Sequence, residues 1–231
     1  MSGFVGRPPG TTTLTLPDGS SVALGDWIDD RHWATVELEN GDVTTLIAFS
    51  SGRSQQIVGG QRMNTLVDTN IPGSGINGLP PAWQFLVYGL AVEFTRAARV
   101  TSPSTVLQLA DFSDPLRFGT FFELNRRLFL EYQYNGKDYS QGLVVDYPQG
   151  HGPYLFSTQP ATENVTNGVP SPRDRLAMVL PIWERDGLGY GMTITPVIAL
   201  VIAQPASDDE ADLDHVDMRV TKNGLICRTV R

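Results

Sequence analysis

Cysteine occurs once in the 231 residues, at Cys227, which excludes an intrachain disulfide framework and any multi-cysteine metal site. The lone thiol reads as a small core side chain rather than a reactive group. Histidine is nearly as scarce: His32, His151 and His215 stand far apart, and none pairs at a metal-ligand spacing. The cupin pattern of two histidines one residue apart with a glutamate soon after is absent, which disfavours a metal-dependent barrel enzyme. No Gly-x-Ser-x-Gly elbow occurs and Cys227 has no histidine close in sequence, so no nucleophile is nominated. A basic surplus is missing too. Seventeen Lys and Arg face 25 Asp and Glu, a net charge of −8, which argues against a nucleic-acid face and against docking on anionic lipid. Charged residues are only 18% of the chain while 41% are hydrophobic, so part of the surface is expected to be buried against neighbours. The N-terminus lacks the basic-then-apolar pattern of a secretory signal, and synthesis in a cytoplasm is expected.

What is present is a run of strand signals. In the stretch from Leu79 to Arg99, Trp83, Phe85, Val87, Gly89 and Ala91 form one row, and Leu86, Tyr88, Leu90, Val92 and Phe94 the other. Both rows are apolar, which predicts a long interior strand covered on both sides until Glu93 and Arg96. A buried helix is the rival reading; the Leu-Pro-Pro lead-in, the central Gly and the β-branched and aromatic content favour the strand. Between Pro81 and Glu93 the run is too short for the ~20 residues of a membrane-crossing helix.

The rest of the chain reads as strands joined by turns, 23 Gly and 16 Pro being spread along it. Residues 1–13 read as an extended arm, with only Phe4 and Val5 to anchor it, and residues 14–231 as a single β-sandwich domain. Pro17-Asp18-Gly19 predicts a hairpin within Leu14–Leu24. Asn40-Gly41-Asp42 predicts a second, joining Trp33–Glu39 to Val43–Phe49. Asn64–Asp68 and Thr105–Ala110 are expected as short strands, and Asp114–Arg127 as a short helix or irregular segment. Asn135-Gly136 predicts a hairpin of Leu128–Tyr134 with Tyr139–Tyr147. Pro148–Pro153 reads as a tight connection and Gln159–Arg175 as a long polar loop. Leu176–Trp183 and Met192–Ile202 are expected as strands, with Pro196 marking a bulge or an edge. Val216–Val220 and Leu225–Val230 are expected to close the chain as a hairpin across Asn223-Gly224.

Four features invite a functional reading, and each has a plainer one. Gly59-Gly60 between Arg53 and Arg62 could wrap a phosphate, but the strand-to-helix context of a phosphate loop is missing. The acidic stretch Asp208–Asp214 could hold calcium, yet it lacks the glycine and closing glutamate of an EF-hand loop and reads as a solvated loop. Phe118, Phe121, Phe122, Phe129, Tyr132 and Tyr134 could form a sugar or base platform; at their spacing they read as core or subunit contact. Asn164-Val165-Thr166 matches a glycosylation sequon and, with no signal peptide, carries no weight.

Three segments resemble the jelly-roll major capsid proteins of icosahedral, often membrane-containing, bacteriophages. One is Thr69-Asn70-Ile71-Pro72 followed by Gly78-Leu79-Pro80 and the long strand from Trp83. Another is Leu143–Gly152, similar to a strand ending in a Pro-x-Gly-x-Gly turn. The third runs from Asn167-Gly168-Val169-Pro170 through Leu180-Pro181-Ile182 to Val220–Leu225 and Arg228. The resemblance covers about half the chain and carries no catalytic signature. It implies an all-β fold, a single jelly-roll β-sandwich with extra strands and loops and at most one or two short helices. It further implies a structural protein of the virion capsid; the missing histidine pairs, lone cysteine and missing nucleophile motifs add the expectation that it is not an enzyme and needs no cofactor and no metal. Its partners would be copies of itself in trimers or hexamer-like capsomers, other capsid or vertex proteins and, in membrane-containing members, an underlying membrane, with no sequence-specific nucleic acid. Phe4 and Val5 are the expected subunit contacts. Two other classes stay open: a carbohydrate- or receptor-binding β-sandwich domain of a phage fibre or spike, and a small-molecule enzyme on a β-barrel.

Overall fold

A computed structural model describes residues 13–15, 21–23, 27–71, 79, 81, 83–95, 123–147, 154–159, 162–166, 176–185, 188–202 and 215–228. Among these, the strands in chain order are β1 (Thr13–Thr15), β2 (Ser21–Ala23), β3 (Trp27–Glu39), β4 (Leu46–Ala48), β5 (Trp83–Thr95) and β6 (Leu128–Tyr134). They continue with β7 (Lys137–Leu143), β8 (Tyr154–Gln159), β9 (Thr162–Thr166), β10 (Leu176–Arg185), β11 (Tyr190–Pro196) and β12 (His215–Arg228). Helix among the described residues is confined to one turn at 123–127 and a 3-10 turn at Val144–Asp146. The protein is an all-β sandwich.

Two four-stranded antiparallel sheets make the sandwich, ordered β10-β5-β12-β3 and β4-β11-β6-β7. The pairings are nested. β3 pairs with β12, β4 with β11, β5 with β10 and β6 with β7, as though one long hairpin had been rolled up. β1–β2 and β8–β9 form separate two-stranded hairpins. Between the sheets lie Ala34, Val36 and Leu38 of β3, Val216, Met218, Val220 and Ile226 of β12, and Leu128, Leu130, Tyr132 and Tyr134 of β6. Met192 and Ile194 of β11 complete the facing layer. Alternation of buried and half-buried residues along β6 and β11 is what one covered face requires.

β5 lies between β10 and β12, as an interior strand with two apolar rows should. Its rows are not continuous, however. Asn223 pairs with Gly89 and Gly224 with Val87, so Tyr88 is an extra residue opposite β12. A bulge shifts the period-two alternation by one residue. The core row is therefore Phe85 and Val87 before Tyr88 and Leu90, Val92 and Phe94 after it. The two rows expected from strict alternation are exchanged halfway.

Two turn signals produce other structures than hairpins. Gly41 does hold a φ of 80°, but β3 and β4 enter different sheets, so Asn40-Gly41 turns the chain over the corner of the sandwich. At Asn223-Gly224 there is no turn: β12 runs straight through as a 14-residue strand. Glycine is needed there for close approach, since a Cβ on Gly224 would lie 2.3 Å from the Leu86 carbonyl oxygen. Asn135-Gly136 makes the expected hairpin, with φ of 50° and 72°, the pair of positive values a tight turn demands.

Several boundaries also move. β7 ends at Leu143 in the Val144–Asp146 turn rather than reaching Tyr147. β11 ends at Pro196, one bond short of the last contact beside β6, from the Val197 N–H to the Arg127 carbonyl, and residues 197–202 lie outside the strand. Asn64–Asp68 forms a turn with isolated bridges on either side, not a strand. β9 occupies part of the stretch read as a polar loop, and β8 precedes it. The β1–β2 pairing fits the Pro17-Asp18-Gly19 hairpin, whose turn lies outside the described residues, as do Thr105–Ala110 and most of Asp114–Arg127.

Candidate functional site

Three polar constellations stand out against this frame, one inside the sandwich, one on the outer face of a sheet and one in a groove at its side. In the first, Lys222 of β12 and Glu184 of β10 project between the sheets, both 0% exposed. The Lys222 amine donates to both carboxylate oxygens, at 2.9 and 2.8 Å. From the opposite sheet the Tyr132 hydroxyl donates to the same carboxylate. Lys222 Nζ also sits 3.3 Å from the centre of the Tyr190 ring and 4.8 Å from that of Phe49. Phe49 reaches this position with a φ of 68°, a conformation uncommon for a bulky residue. Burial pushes the Lys222 amine down from its usual pKa, with Glu184 opposing the shift only in part. Burial, then the Glu184 charge, hold the Tyr132 and Tyr190 hydroxyls well above theirs. The cluster is a polar tie across the core, enclosed on all sides.

Arg62 centres the second constellation. β3 and β12 place Glu37 and Asp217 directly opposite each other on the outward face of their sheet. Like charges so placed repel. The turn after Gly59-Gly60 carries Arg62 onto them, Nε 3.3 Å from Glu37, Nη2 2.8 Å from Asp217 and Nη1 2.7 Å from Asp68. A Cβ on Gly60 would lie 2.5 Å from the Glu37 carboxyl carbon, so these glycines serve close packing on β3. With Arg62 so engaged, the phosphate reading of this loop falls away. Burial lowers the Arg62 pKa, yet the neighbouring carboxylates raise it further. Burial alone would raise the Asp68 pKa, but bonds from the Thr65 N–H and hydroxyl and from Arg62 hold it below its usual value.

The third is open. β10 and β7 are edge strands on the same side of the sandwich. Opposite β5, Ala177 pairs with Gly89 and Ile182 with Val87, so Met178 to Pro181 bulge outward against the single residue Tyr88. Val179 at this bulge is 97% exposed. Between the bulge and the Asn135-Gly136 turn lies a groove of about 770 Å³. Tyr134, Tyr139 and Trp183 line it, with Leu176, Met178, Ile182 and Leu188. Among the described residues, Lys137 and Arg185 are the formally charged ones that line it. The Arg185 guanidinium lies 3.6 Å from the Trp183 ring centre and the Lys137 amine 5.1 Å from that of Tyr139. Both residues are exposed.

Phe4 and Val5, the expected subunit contacts, lie outside the described residues, as do His151 and Asp208–Asp214. Cys227 is half-buried in the outward row of β12, not in the core. His32 is buried and stacks on Phe85 with ring centres 4.3 Å apart. Of the aromatic stretch, Tyr132 and Tyr134 face the core, and Tyr134 also borders the groove. Among the described residues no three His, Cys, Asp or Glu side chains converge as a metal site. Sequence reasoning missed Lys222, Glu184 and the groove, whose members lie on strands distant in the chain. Compared with known proteins, the chain matches no protein-family model, no curated protein and no solved structure.

Proposed function

We propose that this chain is a structural shell protein, the major capsid protein of an icosahedral bacteriophage, built on a single jelly roll. The observation that carries this reading is the nested pairing of eight strands into sheets ordered β10-β5-β12-β3 and β4-β11-β6-β7. A jelly roll is an eight-stranded double sheet of two Greek keys, and a rolled hairpin has this strand order. The low share of charged residues, 18%, agrees with a subunit that buries much of its side surface against neighbours. In this reading the chain performs no catalysis and works in the virion, with copies of itself as its main partners.

The groove's aromatic lining, with exposed Tyr139 and half-buried Trp183, favours a second reading, a carbohydrate- or receptor-binding domain of a phage fibre or spike, since rings with polar neighbours suit sugar stacking. Sedimentation velocity of the purified full-length protein separates the two. A shell subunit gives capsomers and larger particles as concentration rises, and removing residues 1–13 leaves a folded subunit that assembles poorly. A protein that stays monomeric at every concentration refutes the shell reading. Equal assembly of both forms removes the arm, with Phe4 and Val5, from the mechanism.

A further inference from the structure

We infer that the groove between β7 and β10 is the docking site for the acidic segment 205–214 of a second copy of this chain. The inference gives the shell reading a specific contact and rests on it for the partner's identity. Charge is the first argument. The chain carries a net charge of −8, yet among the described residues the charged groups lining the groove are the cations Lys137 and Arg185. Asp208, Asp209, Glu210, Asp212 and Asp214 put five carboxylates into seven residues without a Lys or Arg among them. Leu213 within the same segment offers an apolar side chain to a groove that also holds Leu176, Met178, Ile182 and Leu188. A partly apolar groove with two cations over aromatic rings is built for an acidic peptide with an apolar anchor.

Distance is the second argument, and it decides that the contact joins two copies. Residues 203–214 connect Ile202 to His215. Ile202 donates its N–H to Asn40 Oδ1, and His215 pairs with Glu39, so both ends are fixed at one corner of the sandwich. A segment of 12 residues held at both ends there reaches outward about 20 Å at ~3.4 Å per residue. Arg185 pairs with Gln84, which pairs with Cys227, twelve residues along β12 from His215. At ~3.3 Å per residue that is about 40 Å from the corner, with two strand spacings still to cross. Lys137 is at the same far end, since it pairs with Tyr134, whose hydroxyl accepts the Arg185 N–H at 2.9 Å. The segment cannot reach Lys137 and Arg185 of its own chain. A contact between one end of a subunit and the far end of the next is heterologous, the kind that builds rings and open arrays.

The test uses full-length protein, diluted until it sediments as a monomer, and a fluorescent peptide of residues 205–214 followed by anisotropy. Saturable binding is expected, weakened about tenfold or more by Lys137→Glu with Arg185→Glu and by high salt. A peptide with its five carboxylates replaced by Asn and Gln should not bind. Both substituted positions are exposed, and an unchanged circular dichroism spectrum verifies the fold of the variant. No binding, or equal binding to the variant, overturns the inference. Binding of a peptide of residues 1–12, or of an oligosaccharide, with the acidic peptide excluded, overturns it in favour of that occupant. Particle formation is a separate readout. A protein that forms particles but ignores the peptide loses the groove and keeps the shell reading; a permanent monomer that binds the peptide loses the shell reading and, with it, the second copy as the groove's occupant.

Discussion

Replacing Lys222 by Met tests the polar tie inside the sandwich. The substitution roughly conserves volume and removes the amine that bonds both oxygens of a carboxylate with no solvent exposure. Glu184 is then left buried with the Tyr132 hydroxyl and without its counter-charge. Breaking one partner of a buried pair typically costs about 3–5 kcal/mol, because the remaining charge is uncompensated. In a domain of this size, about 4 kcal/mol corresponds to roughly 10 °C in Tm. Glu184→Leu should cost a similar amount, through the stranded amine. Removing both charges removes the uncompensated state and leaves only the Tyr132 hydroxyl without its acceptor, at about 1–3 kcal/mol. The order of stability is therefore wild type, then the double variant, then either single. Adding Tyr132→Phe should bring the charge-free core close to wild type. Guanidinium unfolding of the five proteins, with Tm by calorimetry, reads the cycle. Single variants costing under about 1 kcal/mol, or a double variant as unstable as the sum of the singles, refute the reasoning.

Further outcomes follow from the same packing. Tyr132 and Tyr190 keep their protons in the fold well above pH 10, whereas the unfolded chain releases them near pH 10, so the folded state binds more protons there. Stability should fall as pH rises above about 10.5, where an unfolded lysine has also deprotonated, and unfolding midpoints across that range measure it. Arg62→Met should cost about 3 kcal/mol at neutral pH by stranding Glu37, Asp68 and Asp217; denaturant titration checks this. Asp68 is stabilising above its ordinary pKa and loses that contribution as pH falls through its lowered folded value, so wild type should itself weaken in acid. Gly224→Ala should cost about 1–3 kcal/mol, since the new methyl meets the Leu86 carbonyl and the Phe85 ring; unchanged Tm would contradict the close approach.

Local chemistry in the sequence determined the fold class and much of the strand content. Apolar alternation between Trp83 and Phe94 calls for a long strand with a covered face, and β5 is an interior strand of its sheet with its inward residues in the core. Asn135-Gly136 carries two positive φ angles between alternating segments, and a hairpin results. The same dipeptide signal could not distinguish a hairpin from a corner at Asn40-Gly41, or from close packing at Asn223-Gly224. A tight backbone permits each, and the strand opposite decides which one forms. Only the tertiary structure set the exchange of faces at Tyr88, because a bulge arises from pairing with β12 and β10 and leaves no mark in the alternation. Lys222 stands in a polar-looking Thr-Lys-Asn-Gly stretch and Glu184 lies 38 residues earlier, so their burial together had no local signature. A buried charge depends on a partner brought close by strand order, and so does a groove between two edge strands. Periodicity sorts residues into faces; the nested pairing of strands remote in the chain chooses which faces, charges and edges meet.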